Sequence, residues 1–184
     1  GKCTNCGALC DHSNIDIDTG KCNECAHQFV ATISTDGNAP TGYDTLADCL
    51  NSITADTGNY VKIYQDIGDA TATTDTVINV NHNVMIDLNG HKLNNIKLEV
   101  NKDVKLALTG TEGSYVTQVY VRKGGSFVID SDANVEFNTI FVEDSARLAV
   151  NDGAKVTTEQ LTVIASVNDD GTTTTSVKLA TGMK

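Results

Sequence analysis

Apolar and polar side chains alternate along the second half of this chain in short runs that recur at nearly constant spacing. Val80, Val100, Val121, Val142 and Val163 stand 20, 21, 21 and 21 positions apart. Two residues before each lies a second apolar side chain, Ile78, Leu98, Val119, Ile140 and Leu161. Residues two apart on a strand share one face, so each pair marks a strand with both side chains turned inward. The alternation returns later in every period, at Val84, Ile86 and Leu88, at Val104, Leu106 and Leu108, at Gly125, Phe127 and Ile129, and at Ala146, Leu148 and Val150. Polar corner residues follow at the same phase: Asn89-Gly90, Thr109-Gly110, Asp130-Ser131 and Asn151-Asp152-Gly153. Gly and Asn are the residues that tolerate the positive φ such corners need.

Agreement at three phases over four to five periods defines a repeat architecture. Two short strands per period exclude a helical repeat, and uniform rather than pairwise spacing disfavours a meander of hairpins. A β-sandwich with accidental regularity is the competing reading. The pattern predicts an all-β fold, a parallel β-helix (solenoid) over residues 60–184 with turns of about 21 residues. Its equivalent strands stack about 4.8 Å apart, and the inward residues form apolar ladders. Ser176-Val177-Lys178-Leu179 reads as one more strand. Ahead of the repeat, residues 31–59 read as a linker and a short capping helix. Leu46, Leu50 and Ile53 share one helical face, and Thr45 or Asp44 is the expected N-cap. Such a helix closes the open end of a solenoid, and Val61, Ile63 and Tyr64 then begin the first strand.

The segments Tyr43 to Ile53, Val61 to Ile67, and above all Asp87-Leu88-Asn89-Gly90-His91 resemble the right-handed parallel β-helix regions of large bacterial surface proteins, which belong to the pectate-lyase-like superfamily. The resemblance covers roughly residues 42–180. It implies a right-handed coil and an extracellular or cell-surface location in a bacterium; periodicity alone gives neither.

Residues 1–30 form a separate cysteine-rich module. They read Cys3-x2-Cys6-x3-Cys10-x-His12-x9-Cys22-x2-Cys25-x-His27. Two CxxC pairs at this separation have the spacing of a zinc ribbon, since two thiolates three positions apart on a tight turn both face one tetrahedral ion. So short a segment has little apolar core and needs a staple. A structural zinc held by Cys3, Cys6, Cys22 and Cys25 is the expected set, with Cys10 and His12 as alternates beside Cys22 and Cys25. Disulfides are the competing staple, because the six cysteines are even in number. Iron on four thiolates is a further option. The module also resembles short cysteine repeats of Gram-positive surface proteins. Gly7 follows the first pair, Ala26 replaces glycine after the second, and His27 reads as solvated. A redox role for CxxC lacks its βαβ setting.

Composition narrows the function classes. The net charge is −11 over 184 residues, which disfavours nucleic acid and anionic membranes as partners. Aromatic residues make up only 5% and tryptophan is absent, so Val, Ile, Leu and Ala must build the core. No apolar run approaches a membrane span, so no membrane insertion is expected. The chain begins directly in the cysteine motif, which reads as a piece excised from a larger protein.

The positions between the inward pairs face outward: Asn79, Glu99, Tyr120, Phe141 and Thr162, then Asn81, Asn101, Arg122, Glu143 and Ile164. Tyr120 and Phe141 should stack, exposed, beside Arg122 and Glu143, forming a candidate platform for a glycan or for a host or cell-surface protein. Glu99 and Glu143 lie two turns apart, with no His, Lys or Arg expected in a carboxylate cluster at matching phase, so catalysis is not expected. Asp87, Asp130 and Asp152 read as corner residues. The expected function is a non-catalytic structural or adhesive segment. The alternative is a carbohydrate-binding or polysaccharide-degrading domain.

Overall fold

The computed structural model describes residues 12–36 and 38–164, together with the backbone of short strands at 166–167, 173–174 and 177–178. The chain runs β1 (Ile15–Asp16), β2 (Lys21–Cys22), β3 (Ala31–Thr35), β4 (Thr41–Tyr43), α1 (Leu46–Asn51), β5 (Asn59–Ile63), β6 (Thr76–Val80), β7 (Val84–Asp87), β8 (Lys92–Val100), β9 (Lys105–Thr109), β10 (Ser114–Val121), β11 (Ser126–Ile129), β12 (Asn134–Val142), β13 (Arg147–Val150), β14 (Lys155–Val163), β15 (Ser166–Val167), β16 (Thr173–Thr174) and β17 (Val177–Lys178). Two parallel sheets face each other across the core. One is ordered β14-β12-β10-β8-β6; the other is β17-β13-β11-β9-β7-β5-β3-β4. From β5 to β14 each strand pairs in parallel with its equivalent one turn on, so this part of the chain is a parallel β-solenoid.

The register follows the sequence ladders. Val121 pairs with Val100 and Val142, Val119 with Leu98 and Ile140, and Phe127 with Leu106 and Leu148. Nearly all of these side chains are fully buried. A third apolar strip, made by Leu93, Val116, Val135, Phe137 and Val156, enters the core from the first halves of the long strands. Val116 and Phe137, and Val135 and Val156, keep the 21-residue phase, but Leu93 falls outside it: Val116 pairs with Leu93, 23 positions back, while Gln118 pairs with Lys97, 21 back. A bulge at Asn94-Asn95 absorbs the difference. Phe137 and Phe127, one from each sheet, meet edge to face with centroids 5.9 Å apart.

The corner motif Asp87 to His91 is structural at every position. Asp87 accepts hydrogen bonds from the Asn89 N–H (2.8 Å) and the Tyr60 hydroxyl (2.8 Å), and Leu88 is buried. Asn89 and Gly90 take φ of +50° and +84°, and the Asn89 amide reaches the carbonyl of Ile63 one turn back at 3.1 Å. Gly125, expected as a ladder residue, lies against backbone instead. A Cβ there would stand 2.8 Å from the Asn101 carbonyl and 3.0 Å from that of Arg122.

The N-terminal end is closed as expected from the helix pattern and by more besides. Thr45 caps α1, its hydroxyl accepting from the Asp48 N–H at 3.0 Å, and Leu46, Cys49, Leu50 and Ile53 cover the open end of the core. Burial pushes the Cys49 thiol up to about 12, so it packs as an inert apolar group. The stretch read as linker carries β3 and β4. Both run antiparallel, β3 against β5 and β4 against β3, which ends the parallel stack with a hairpin rather than a raw edge. At the other end, the backbone of β17 pairs with β13.

Leu106 sits mid-ladder with no exposed surface. Leu106→Ala should cost about 2–5 kcal/mol through lost burial and the cavity left behind, measured as a shift in the denaturant midpoint at unchanged m. A change below about 1 kcal/mol would mean that the ladder collapses to fill the space.

Candidate functional site

Among the described residues, chemistry-bearing side chains gather at the turn around Cys22 and Cys25 and along the outward stripe of the solenoid.

At the first, β1 and β2 form a hairpin that brings Ile15 opposite Cys22. The Cys22–Cys25 turn is held by Ala26 N–H to the Cys22 carbonyl (2.8 Å) and Cys22 N–H to the His27 carbonyl (2.9 Å). Ala26 has φ +56°, the conformation that a glycine after such a turn adopts at lower cost. Cys22 and Cys25 are buried against Ile15 and Phe29. His12 Nδ1 lies 3.5 Å from Cys25 Sγ, and the ligand atoms of His12, Cys22 and Cys25 all fall within 4.8 Å of one another. In a tetrahedral zinc site the N···S edge is about 3.6 Å, from bonds of about 2.05 and 2.3 Å. The three donors therefore fit such an ion, and thiolates with imidazole are the donor types that zinc takes. Of the expected ligands, Cys22 and Cys25 are thus brought together with the alternate His12; Cys3, Cys6 and Cys10 lie outside the described residues. His27, expected in solvent, is half-buried instead. Its Nε2 is 2.7 Å from Asp44 Oδ1 and its ring meets Phe29 edge to face at 4.6 Å. Its ring also lies 5.2 Å from that of His12, and its Asp44 contact ties the cysteine turn to the residues ahead of α1.

This module is fastened to the solenoid. The Ile17 carbonyl accepts from the Tyr64 hydroxyl (2.8 Å) and Lys62 Nζ (3.2 Å), and Gln65 Nε2 donates to the Phe29 carbonyl. Gly20 is pressed onto the Tyr64 ring, where any Cβ would collide.

On the outward stripe, Tyr120 and Phe141 stack as the register requires, with centroids 4.5 Å apart and planes 14° apart. They are half-buried rather than exposed, and neither face of Tyr120 is open. Phe141 covers one, while the Lys97 ammonium and the Arg122 guanidinium lie 4.5 and 4.6 Å from the ring centroid and occupy the other. The stack therefore does not offer a sugar the double aromatic platform that the sequence pattern invites.

Charge is also used up internally here. Arg122 donates from Nε and Nη2 to Glu99 Oε1 (2.8 and 2.6 Å) and from Nη1 to Glu143 Oε1 (3.1 Å). Lys97 pairs with Glu99 at 3.1 Å. Glu143 also accepts from the Tyr120 hydroxyl (2.8 Å) and the Lys123 N–H (2.7 Å). This corrects the expectation that no basic residue joins the carboxylates: Arg122 bridges Glu99 and Glu143, because its long side chain reaches the neighbouring turns on both sides. Lys97 was legible too, since it lies two positions before Glu99 on the same outward face. Burial pushes the Glu99 carboxyl up, but hydrogen bonds from Arg122 and Lys97 outweigh it and hold the carboxyl below its ordinary 4.5. Burial likewise raises Glu143, and the Lys123 N–H, Tyr120 and Arg122 together bring it below.

Compared with known proteins, the chain matches no family profile, and no curated protein or solved structure matches it significantly.

Two outcomes are expected. Protein prepared without chelator should carry about one zinc per chain. His12→Ala should weaken zinc binding by more than the roughly 100-fold that loss of an outer hydrogen-bond partner costs, read by competition with a chromogenic chelator. Second, the carboxylates' stabilisation is present in full above pH 4.5, their ordinary value, and is lost as the pH falls through their lowered folded values. Arg122→Met should cost about 1–2 kcal/mol at pH 7, discounted because the guanidinium is 42% exposed. The melting-temperature gap to wild type should shrink steadily below pH 4.5.

Proposed function

We propose that this chain is a non-catalytic structural segment of a secreted or surface-anchored bacterial protein, a right-handed β-solenoid spacer whose N-terminal cap is locked by a structural zinc. The observation that carries this reading is the Glu99–Arg122–Glu143 bridge. A glycosidase needs one carboxyl kept protonated near neutral pH and a second free to attack or to activate water. Against burial, Glu99 is held below its ordinary value by hydrogen bonds from Arg122 and Lys97, and Glu143 by those from the Lys123 N–H, Tyr120 and Arg122, and the ring between them is covered on both faces. The stripe therefore works as glue between turns, which suits a spacer that must resist lateral and axial load.

Zinc fits the same role. Cys22, Cys25 and His12 supply three donors, with the fourth to come from the cysteines at 3, 6 or 10. Cys10, two residues before His12, is the nearest in sequence. The metal would hold a turn too small to hold itself, and through Ile17, Gly20 and Phe29 it would brace the first coil. The right-handed sense accords with the general preference of parallel crossovers, and the bacterial surface location rests on the corner motif noted above.

The deciding assay incubates the purified chain with polysaccharides of several linkages and charges and follows reducing-end release and the ultraviolet absorbance of unsaturated products. No turnover is expected. Turnover that disappears in folded Glu99→Gln or Glu143→Gln would replace the spacer with an enzyme.

A further inference from the structure

A second outward face lies beside the first, and its side chains are not spent on one another. β8 enters the solenoid through the bulge at Asn94-Asn95, where Asn95 has φ +49°. Thr117 repairs the ladder there: its hydroxyl accepts from the Asn95 N–H at 2.8 Å and donates to the Leu93 carbonyl at 3.2 Å. The Asn95 amide holds the loop above by donating to the carbonyls of Asp69 and Ala72. The result is a cleft of about 350 Å³, lined by Lys92, Asn94, Asn95, Tyr115, Thr117 and Glu136. Lys92, Tyr115 and Glu136 are equivalent residues on three successive turns, so the ammonium and the carboxylate stand about two rungs, roughly 10 Å, apart with the phenol between them.

Bulges that re-aim side chains recur next to functional sites, and this one opens onto groups with capacity to spare. The Lys92 ammonium, the Asn94 amide, the Tyr115 hydroxyl and the Glu136 carboxylate make no hydrogen bond or ion pair with any described residue. Among the described residues no ring or cation covers the half-exposed Tyr115 ring, unlike that of Tyr120. Lys92 supplies only donors, Glu136 only acceptors, and Asn94 both. A ligand that satisfies all of them at once carries adjacent hydroxyls, each a donor and an acceptor, on a ring whose C–H face lies against Tyr115. Opposite charges at the two ends favour a neutral ligand over an anionic one, as does the net charge of −11.

We infer that the cleft around Tyr115 binds a short neutral saccharide of about two sugar units, set between Lys92 and Glu136. This goes beyond the spacer reading and does not depend on the metal. It gives such a spacer a weak, repeatable grip on a glycan surface, at a place other than the Tyr120–Phe141 stack.

The test uses the full chain and a panel of neutral trisaccharides, the gluco-, manno-, galacto- and N-acetylglucosamine series. Saturation-transfer NMR and calorimetry are run up to about 10 mM sugar. At least one series should bind with a Kd in the micromolar to low millimolar range. Tyr115→Ala should weaken it at least about tenfold, the effect of roughly 1.4 kcal/mol in lost ring contact. Tyr115→Phe, which keeps the ring, should stay within about threefold and checks that the fold survives. Phe141→Ala should leave binding unchanged. No binding by any series overturns the inference, as does equal binding by folded Tyr115→Ala, or binding of a zwitterionic di- or tripeptide in place of sugar.

Discussion

The pairing of each strand with its equivalent one turn later is the constraint from which the rest of this structure follows. Once Val100 lies between Val80 and Val121, the backbone leaves no freedom in which residue stands above which. The inward positions must be apolar or bring their own hydrogen-bond partner, as buried Ser114 does by accepting from the Gly90 N–H, since an unpartnered polar rung would be costly. The outward positions are stacked just as rigidly, about 4.8 Å apart, so like charges in one column would repel at close range. The chain resolves this by placing Arg122 between Glu99 and Glu143 and by setting Tyr120 against Phe141. Ladder order outside is the price of ladder order inside.

A stack of identical rungs has no natural beginning, and the N-terminal half of the chain supplies one. Helix α1 covers the core, the β3–β4 hairpin reverses the strand direction, and the cysteine turn rests on Tyr64 through Ile17 and Gly20. Three His–Asp contacts, His27–Asp44, His82–Asp56 and His91–Asp66, all fall in this capping region or on its first turns. The cysteine module is therefore continuous with the cap, and the solenoid's first coil and the cysteine turn are expected to report on each other's stability.

Much of this was legible in the sequence because strand register has a period of two and the coil a period of about 21. The Val80 to Val163 column, the Tyr120–Phe141 stack and the Thr45 cap all follow from those periods and from capping chemistry. What was not legible depends on reach and on irregularity. Arg122 spans turns on both sides only because its side chain is long, which position alone does not express. The place of Leu93 beneath Val116 is hidden by the bulge, since comparison at constant spacing slides past it. The cleft at Tyr115 is hidden for the same reason. At the cysteine turn, spacing picked out Cys22 and Cys25, with His12 as an alternate beside them; that His12 stands next to Cys25 depends on how the hairpin folds.

The bulge at Asn94-Asn95 has a consequence for how such chains change length. Two additional residues enter the second coil, yet Lys97 onward returns to the common register with β10, and every later column is undisturbed. Thr117 repairs the local ladder from its side chain, so the insertion is sealed where it occurs. Growth and shrinkage of one coil are thereby uncoupled from the alignment of all the others. In a molecule whose order is otherwise cumulative, this corner is where segments can be grafted or trimmed without re-specifying the sequence downstream.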